Sequence, residues 1–121
     1  MPARIVHADP GREAWFREGC HILEILNSDD DPAVSIARAR VAPGQTTRRH
    51  RLAGVTERYL IVQGRGRVEV GDLAPAEVGP GDLVLIPPDT AQRITCTGEG
   101  DLVFYAICSP RFTPDCYRAC D

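Results

Sequence analysis

The sequence predicts an all-β fold in a single domain, and three observations carry that expectation. Turn residues recur at short intervals, at Asn27–Pro32, Pro43-Gly44, Gly64-Arg-Gly66, Gly71-Asp72, Pro80-Gly81, Pro87-Pro-Asp89 and Gly98-Glu-Gly100. The runs between them are short and rich in β-branched, aromatic and alternating apolar residues, the chemistry of half-buried strands. No stretch of helix length sustains a 3.6-residue apolar period. Many short strands divided by Gly/Pro clusters close their apolar faces against one another in a sandwich or barrel.

Taken in order, the predicted strands are Cys20–Leu26, Ala33–Val41, Thr46–His50, Glu57–Gln63, Arg67–Gly71, Leu83–Ile86, Gln92–Thr97 and Asp101–Cys108. Short helical turns flank them. Asp9 is placed to cap a turn through Pro10–Arg17, and Thr113-Pro114 is an N-cap and N1 pair for a final turn ending at Cys120. In the second strand Arg38 and Arg40 alternate with Ala37, Ala39 and Val41, so the arginines should face outward, into solvent or a subunit interface. Cys96 and Cys108 fall within apolar strands and read as buried small hydrophobes. No linker, repeat or low-complexity segment interrupts the chain, so residues 1–121 are read as one domain.

Composition narrows the function classes. With 121 residues the chain can bury one core without staples. Lys plus Arg is 14 and Asp plus Glu is 17, a formal charge of −3, which lacks the basic stripe nucleic acid would demand. The longest uncharged apolar run, Leu102–Cys108, is far too short to span a bilayer as a helix. The start shows no apolar signal-like segment, and five cysteines is an odd number, so free thiols in a reducing cytoplasm are expected. Cys116 and Cys120, four apart on the predicted last turn, lie too far apart on a helix to bridge and make a weak zinc signal with His7 or His21. The apolar segment holding Trp15 and Phe16, beside Cys20–Leu26, suggests surface hidden in a homodimer.

Two glycine-anchored blocks carry the chemistry. The first, over residues 44–64, reads Gly44-x5-His50-x-Leu52-x4-Glu57-x6-Gly64. The second, over residues 81–96, reads Gly81-x5-Pro87-x-Asp89-x2-Gln92-x3-Cys96. Here the chain resembles the cupin superfamily, small antiparallel β-barrels of jelly-roll type, whose motifs are Gly-x5-His-x-His-x3–4-Glu-x6-Gly and Gly-x5-Pro-x-Gly-x2-His-x3-Asn. The first motif is matched except that Leu52 stands where the second histidine belongs. In the second, Gly81 and Pro87 match, while Asp89, Gln92 and Cys96 depart. The resemblance implies a single-domain cupin barrel with short terminal helical turns.

It also implies a metal position. In metal cupins three histidines and a glutamate point into the barrel around one divalent ion. Carried over residue by residue, the set is His50, Glu57 and, through its amide oxygen, Gln92; Leu52 cannot ligate. Mn, Fe or Zn is the implied ion, in a site thin enough to be weak or empty. Strand parity places further residues in the pocket: Arg48 and Thr46 with His50, Tyr59 and Ile61 with Glu57, Ile94 and Cys96 with Gln92. Arg48, Leu52, Tyr59, Ile61, Ile94 and Cys96 are thus the candidate substrate-pocket residues, mostly apolar with a few convergent polar groups, as small-molecule sites are.

Three functions remain open on these residues. One is a metal-dependent enzyme of dioxygenase, isomerase or lyase type acting on a small organic molecule, with Tyr59 or Arg48 positioning the substrate. Another is a non-catalytic small-ligand binding or sensing module. The third is a metal-free enzyme with Glu57 and His50 as general acid and base. Substrate and reaction are not legible, and neither a nucleic-acid nor a membrane partner is expected.

Overall fold

The computed structural model describes residues 1–120. Eleven strands follow one another: β1 Ala14–Phe16, β2 Cys20–Leu26, β3 Ser35–Val41, β4 His50–Leu52, β5 Thr56–Gln63, β6 Gly66–Val70, β7 Ala76–Val78, β8 Leu83–Ile86, β9 Gln92–Cys96, β10 Leu102–Ser109 and β11 Tyr117–Ala119. They form a six-stranded sheet ordered β1-β2-β3-β10-β5-β8 and a five-stranded sheet ordered β11-β4-β9-β6-β7. Every pairing between these strands is antiparallel. This is the all-β architecture the turn rhythm predicts, of the jelly-roll type the family resemblance implies.

Alternation builds the core. In β5 the buried residues are Glu57, Tyr59 and Ile61, and between them Arg58 and Leu60 look outward. In β9 they are Gln92, Ile94 and Cys96, and in β6 they are Gly66, Val68 and Val70. Inward residues of both sheets meet in one apolar cluster containing Val41, Ile61, Ile86, Ile94, Leu102 and Phe104. The outward arginines of β3 find partners as expected of that face. Arg40 pairs with Glu13 at 2.7 Å and Asp101 at 3.2 Å, and Arg38 lies 3.7 Å from Glu13.

Several expectations need correction. The N-terminal turn is a 3-10 turn over Pro10–Arg12 only, with Asp9 accepting from Gly11 N–H at 3.1 Å. Trp15 and Phe16 belong to strand β1, which pairs with β2. At the other end a 3-10 turn covers Pro114–Cys116, and the chain then enters β11 rather than continuing as a helix to Cys120. Helical propensity loses here because β4 offers a row of unpaired backbone groups. Tyr117–Ala119 covers that edge, and Cys120 N–H donates to the Arg49 carbonyl at 2.9 Å. The helical argument about Cys116 and Cys120 falls with it, although all five thiols are free.

A second correction concerns the strand predicted over Thr46–His50. Thr46 makes an isolated bridge to Thr95, the chain then leaves the sheet, and β4 begins at His50. Thr47, not Thr46 or Arg48, turns inward, and its hydroxyl accepts from Ile94 N–H at 3.0 Å. The break shifts parity by one residue, so Thr47 and His50 are both buried while Thr46 and Arg48 are exposed. Strand β7, Ala76–Val78, has no counterpart among the predicted strands.

Two turn positions show why the anchors have the residues they have. A Cβ on Gly64, which has φ of 83°, would come within 2.4 Å of the Asp101 carbonyl oxygen, so only glycine fits there. Asp89 has φ of 60°, the left-handed region, at the position where the family pattern has glycine. Aspartate tolerates that region better than most residues do, at some cost. Replacing Asp89 with Gly should therefore stabilise the protein by about 0.5–1 kcal/mol, and Asp89→Val should destabilise it by about 1–2 kcal/mol. Urea unfolding of the two variants beside the parent checks both signs.

Candidate functional site

The inward residues of β4, β5 and β10 meet the β1–β2 hairpin at one end of the barrel, around a cavity of about 100 Å³. Its walls are mostly apolar, with Phe16, Ile22, Leu52, Phe112 and Tyr117 prominent, and its polar lining includes Glu18, His50, Glu57 and Cys108. His50 and Leu52 share the buried face of β4, with Arg51 between them turned away.

His50 is held from both sides. Its Nδ1 lies 2.8 Å from the Arg48 carbonyl oxygen, which can only accept, so Nδ1 carries the proton. Its Nε2 faces Glu18 Oε2 at 3.3 Å. Arg48 also ties the other partner, because its N–H donates to the Glu18 carbonyl at 2.5 Å. The backbone of one residue thus holds both members of the pair. Tyr117 stacks on the imidazole with centroids 4.9 Å apart and planes 17° from parallel, which locks the ring's orientation.

Glu57 sits across the cavity from this pair, 7% exposed, with Oε1 lacking any hydrogen-bond partner and Oε2 accepting from the Cys108 thiol at 3.7 Å. Burial pushes its carboxyl up to about 8, and the charge of Glu18 adds to the rise. Gln92 and Cys108 oppose it more weakly. At neutral pH Glu57 is therefore mostly a neutral acid with a proton to give. The Tyr59 hydroxyl donates to Gln92 Oε1, and Gln92 Nε2 is buried near the Glu57 carboxyl without a hydrogen bond of good geometry. Burial and the nearby Glu57 keep Tyr59 well above the usual phenol range, and burial likewise raises the thiols of Cys20 and Cys108.

The structure brings His50, Glu57 and Leu52 to the cavity wall. Gln92 and Tyr59 stand behind Glu57, outside the lining. Ile61, Ile94 and Cys96 are packed into the apolar core and do not reach the cavity. Arg48 contributes through its backbone, with its side chain exposed. Three site residues escaped the sequence reading: Glu18, Tyr117 and the hydrogen-bonding role of Cys108. Glu18 lies in the tight turn between β1 and β2 beside Gly19, whose φ is 96°. Gly19 is the one residue in the sequence that could have marked this turn.

The donor set does not fit the divalent ion that the family resemblance implies. Among the described residues no three His, Cys, Asp or Glu side chains gather as an ion-binding group. The one Gln92 atom able to ligate is taken by the Tyr59 hydroxyl, leaving an amide nitrogen that can only donate. His50 Nε2, the nitrogen a metal would need, is directed at Glu18. What the cluster offers instead is protons at defined atoms.

Stability should follow Glu57. Its folded carboxyl titrates near 8 and an unfolded one near 4.5, so the folded state holds the extra proton between those values. Stability should fall as pH rises through that window, by up to about 1.4 kcal/mol per unit. Urea unfolding between pH 5 and 8 should show the decline in the parent and a much flatter profile in Glu57→Gln.

Comparison with known proteins places this geometry. The family described as Cupin domain matches residues 37–108, more than half of the chain. An uncharacterized protein of Methanocaldococcus jannaschii, MJ1618, is 31% identical over 99 residues, covering 80% of this chain and 78% of that protein. Among solved structures, a double-stranded β-helix protein of Klebsiella pneumoniae superposes with a TM-score of 0.78 at 13% identity over 99% of both chains. Pac13, a nucleoside dehydratase, does so with a TM-score of 0.77 at 17% identity over 97% of this chain and 92% of its own. KdgF from Halomonas sp. gives a TM-score of 0.72 at 19% identity over 87% of this chain and 94% of that one. These structural likenesses carry the fold alone; the family match and the Methanocaldococcus jannaschii relative show that the chain belongs to the cupin family.

Proposed function

We propose that this chain is a small-molecule enzyme working by metal-independent proton transfer, with His50 as base, steered by Glu18, and Glu57 as acid. One observation carries the reading. His50, oriented by the Arg48 carbonyl, and a mostly protonated Glu57 with a free Oε1 line the same partly apolar cavity. A buried carboxyl held protonated beside a histidine of fixed orientation has the make-up of an acid–base pair. A structural neighbour with the same fold, Pac13, is a nucleoside dehydratase. Loss of water from an organic molecule is a reaction that needs a proton removed at one atom and supplied at another. The substrate of this chain is a small organic molecule of a size to enter the cavity, with the reacting carbon beside a carbonyl or similar group that acidifies its C–H.

The second reading, a ligand-binding or sensing cupin without turnover, has the same cavity in its favour. Solvent deuterium separates the two. A panel of small carbonyl compounds, incubated with the protein in D₂O after chelator treatment, should show enzyme-dependent deuterium uptake at carbon for at least one member. His50→Gln should slow that uptake by about 100-fold or more. Compounds that bind without exchange or conversion would move the chain to the second reading.

The metal question has its own measurement. Calorimetric titration of the chelator-treated protein with Mn²⁺, Fe²⁺ and Zn²⁺ should show no tight binding. Leu52 shares the buried face of β4 with His50, and Gln92 pairs with His50 across β4 and β9. The double replacement Leu52→His, Gln92→His should therefore bring the missing imidazoles together and bind Zn²⁺ at least about 100-fold more tightly than the parent. Tight binding by the parent, or no gain in the double variant, would contradict this account of the donor set.

A further inference from the structure

We propose that the cavity takes a small organic cation, a protonated amine on a short apolar body. The proposal rests only on the cavity being the binding site, as read above, and adds the class of molecule it holds; paired with an ammonium, Glu57 serves as its counter-ion and not as an acid. The ionisable residues lining the cavity are Glu18, Glu24, Glu57, Cys108, Tyr117 and His50, and neither Arg nor Lys is among the lining residues. His50 is answered by Glu18 at 3.3 Å, which leaves the carboxyls of Glu57 and Glu24 without a facing cation in the wall. Glu57, more than nine-tenths buried, keeps Oε1 without a partner. An acidic wall alone would be a solvated surface; a buried carboxyl oxygen left unsatisfied at a cavity is a place for a donor.

The nearby arginines do not change the sign of this interior. Arg17 lies 4.4 Å from the centroid of the Tyr117 ring, on which His50 also stacks. Arg48 is exposed, and Arg111 is tied to Asn27 and Asp29 at the rim. The remaining walls suit an ammonium on an apolar stem. Phe16 packs edge-on against both Phe112 and Tyr117, at 6.4 and 5.8 Å between centroids, and aromatic faces attract cations. A carboxylate or phosphate would instead meet carboxyl groups with no lysine or arginine to receive it.

Binding has a proton signature. In the free protein Glu57 is mostly neutral at pH 7. An ammonium against Oε1 would favour its carboxylate, so R–NH₃⁺ enters, the Glu57 carboxyl loses H⁺ to the buffer, and the ion pair R–NH₃⁺···⁻O₂C remains. A carboxyl titrating at about 8 is about nine-tenths protonated at pH 7, which sets the largest release. The titratable groups that interact with Glu57 are Glu18 from the β1–β2 turn, Cys20 of β2, Tyr59 of β5, Cys108 of β10 and Cys116 near the end, and His50 of β4 and Glu24 of β2 line the same cavity. Burial holds Tyr59 and the three thiols above their usual ranges, so these four stay protonated throughout.

Isothermal calorimetry with n-butylammonium, 1-butanol and butyrate tests this, in buffers of different ionisation enthalpy. At pH 7 butylammonium should bind at least about tenfold more tightly than butanol and release close to one proton, while butyrate should bind worst. Glu57→Gln, which keeps the shape and the neutral state of the free carboxyl, should lose about tenfold in butylammonium affinity and all of the proton release, with a smaller change in butanol affinity. Butanol equal to butylammonium, butyrate binding best, or amine binding without proton release would overturn the amine proposal and leave the cavity reading standing. Failure of all three probes to bind would overturn both.

Discussion

A carboxyl group buried in an apolar barrel is the constraint around which this end of the molecule is arranged. Glu57 faces inward because it shares a strand face with Tyr59 and Ile61, and β5 lies between β10 and β8, with no open edge through which it could escape. Ionising it there is costly, so the carboxyl is held protonated into the neutral range, and the groups about it adapt to an acid rather than an anion. Cys108 on the neighbouring strand turns its thiol toward one oxygen, and Gln92 opposite is anchored by the Tyr59 hydroxyl. A lone buried carboxyl of this kind reduces stability at alkaline pH, a cost commonly seen where a group is kept for chemistry.

The His50–Glu18 pair solves a different problem, that of orientation. Neither residue could be positioned by its own side chain alone. The irregular stretch before β4 frees the Arg48 peptide from sheet pairing, and both of its polar groups turn to the site. Its N–H holds the hairpin that carries Glu18, and its carbonyl holds the histidine. Tyr117 arrives from the last strand to stack on the ring, so the histidine is set by contacts from three separated parts of the chain. That arrangement fixes the ring's orientation, with Nδ1 toward the Arg48 carbonyl and Nε2 toward Glu18.

The departures from the family pattern acquire a common physical sense in this setting. Leu52 replaces a ligand with an apolar wall, and Gln92 spends its oxygen on Tyr59. Both changes remove donors from an ion while leaving His50 and Glu57 at the same cavity. Asp89, by contrast, is a change in the turn and not in the chemistry: it keeps a glycine's left-handed backbone with a residue that tolerates it.

Much of this was legible in the residues. The spacing of glycines and prolines determined where strands could end, and the two-residue period determined that Glu57, Tyr59 and Ile61 share a face, as do Gln92, Ile94 and Cys96. The motif anchors pointed to His50 and Glu57. Tertiary structure alone decided the rest, because it depended on contacts between distant segments. The break between Thr46 and His50 shifted parity and put Arg48 outside, which no periodic reading of a continuous strand could anticipate. The C-terminal residues form β11 because an edge of β4 was there to be covered, overriding the local preference for a helical turn. Glu18 became a site residue because a hairpin remote in sequence folds over the barrel mouth. Local sequence specifies which way a side chain alternates; only the assembled sheets specify what stands opposite it.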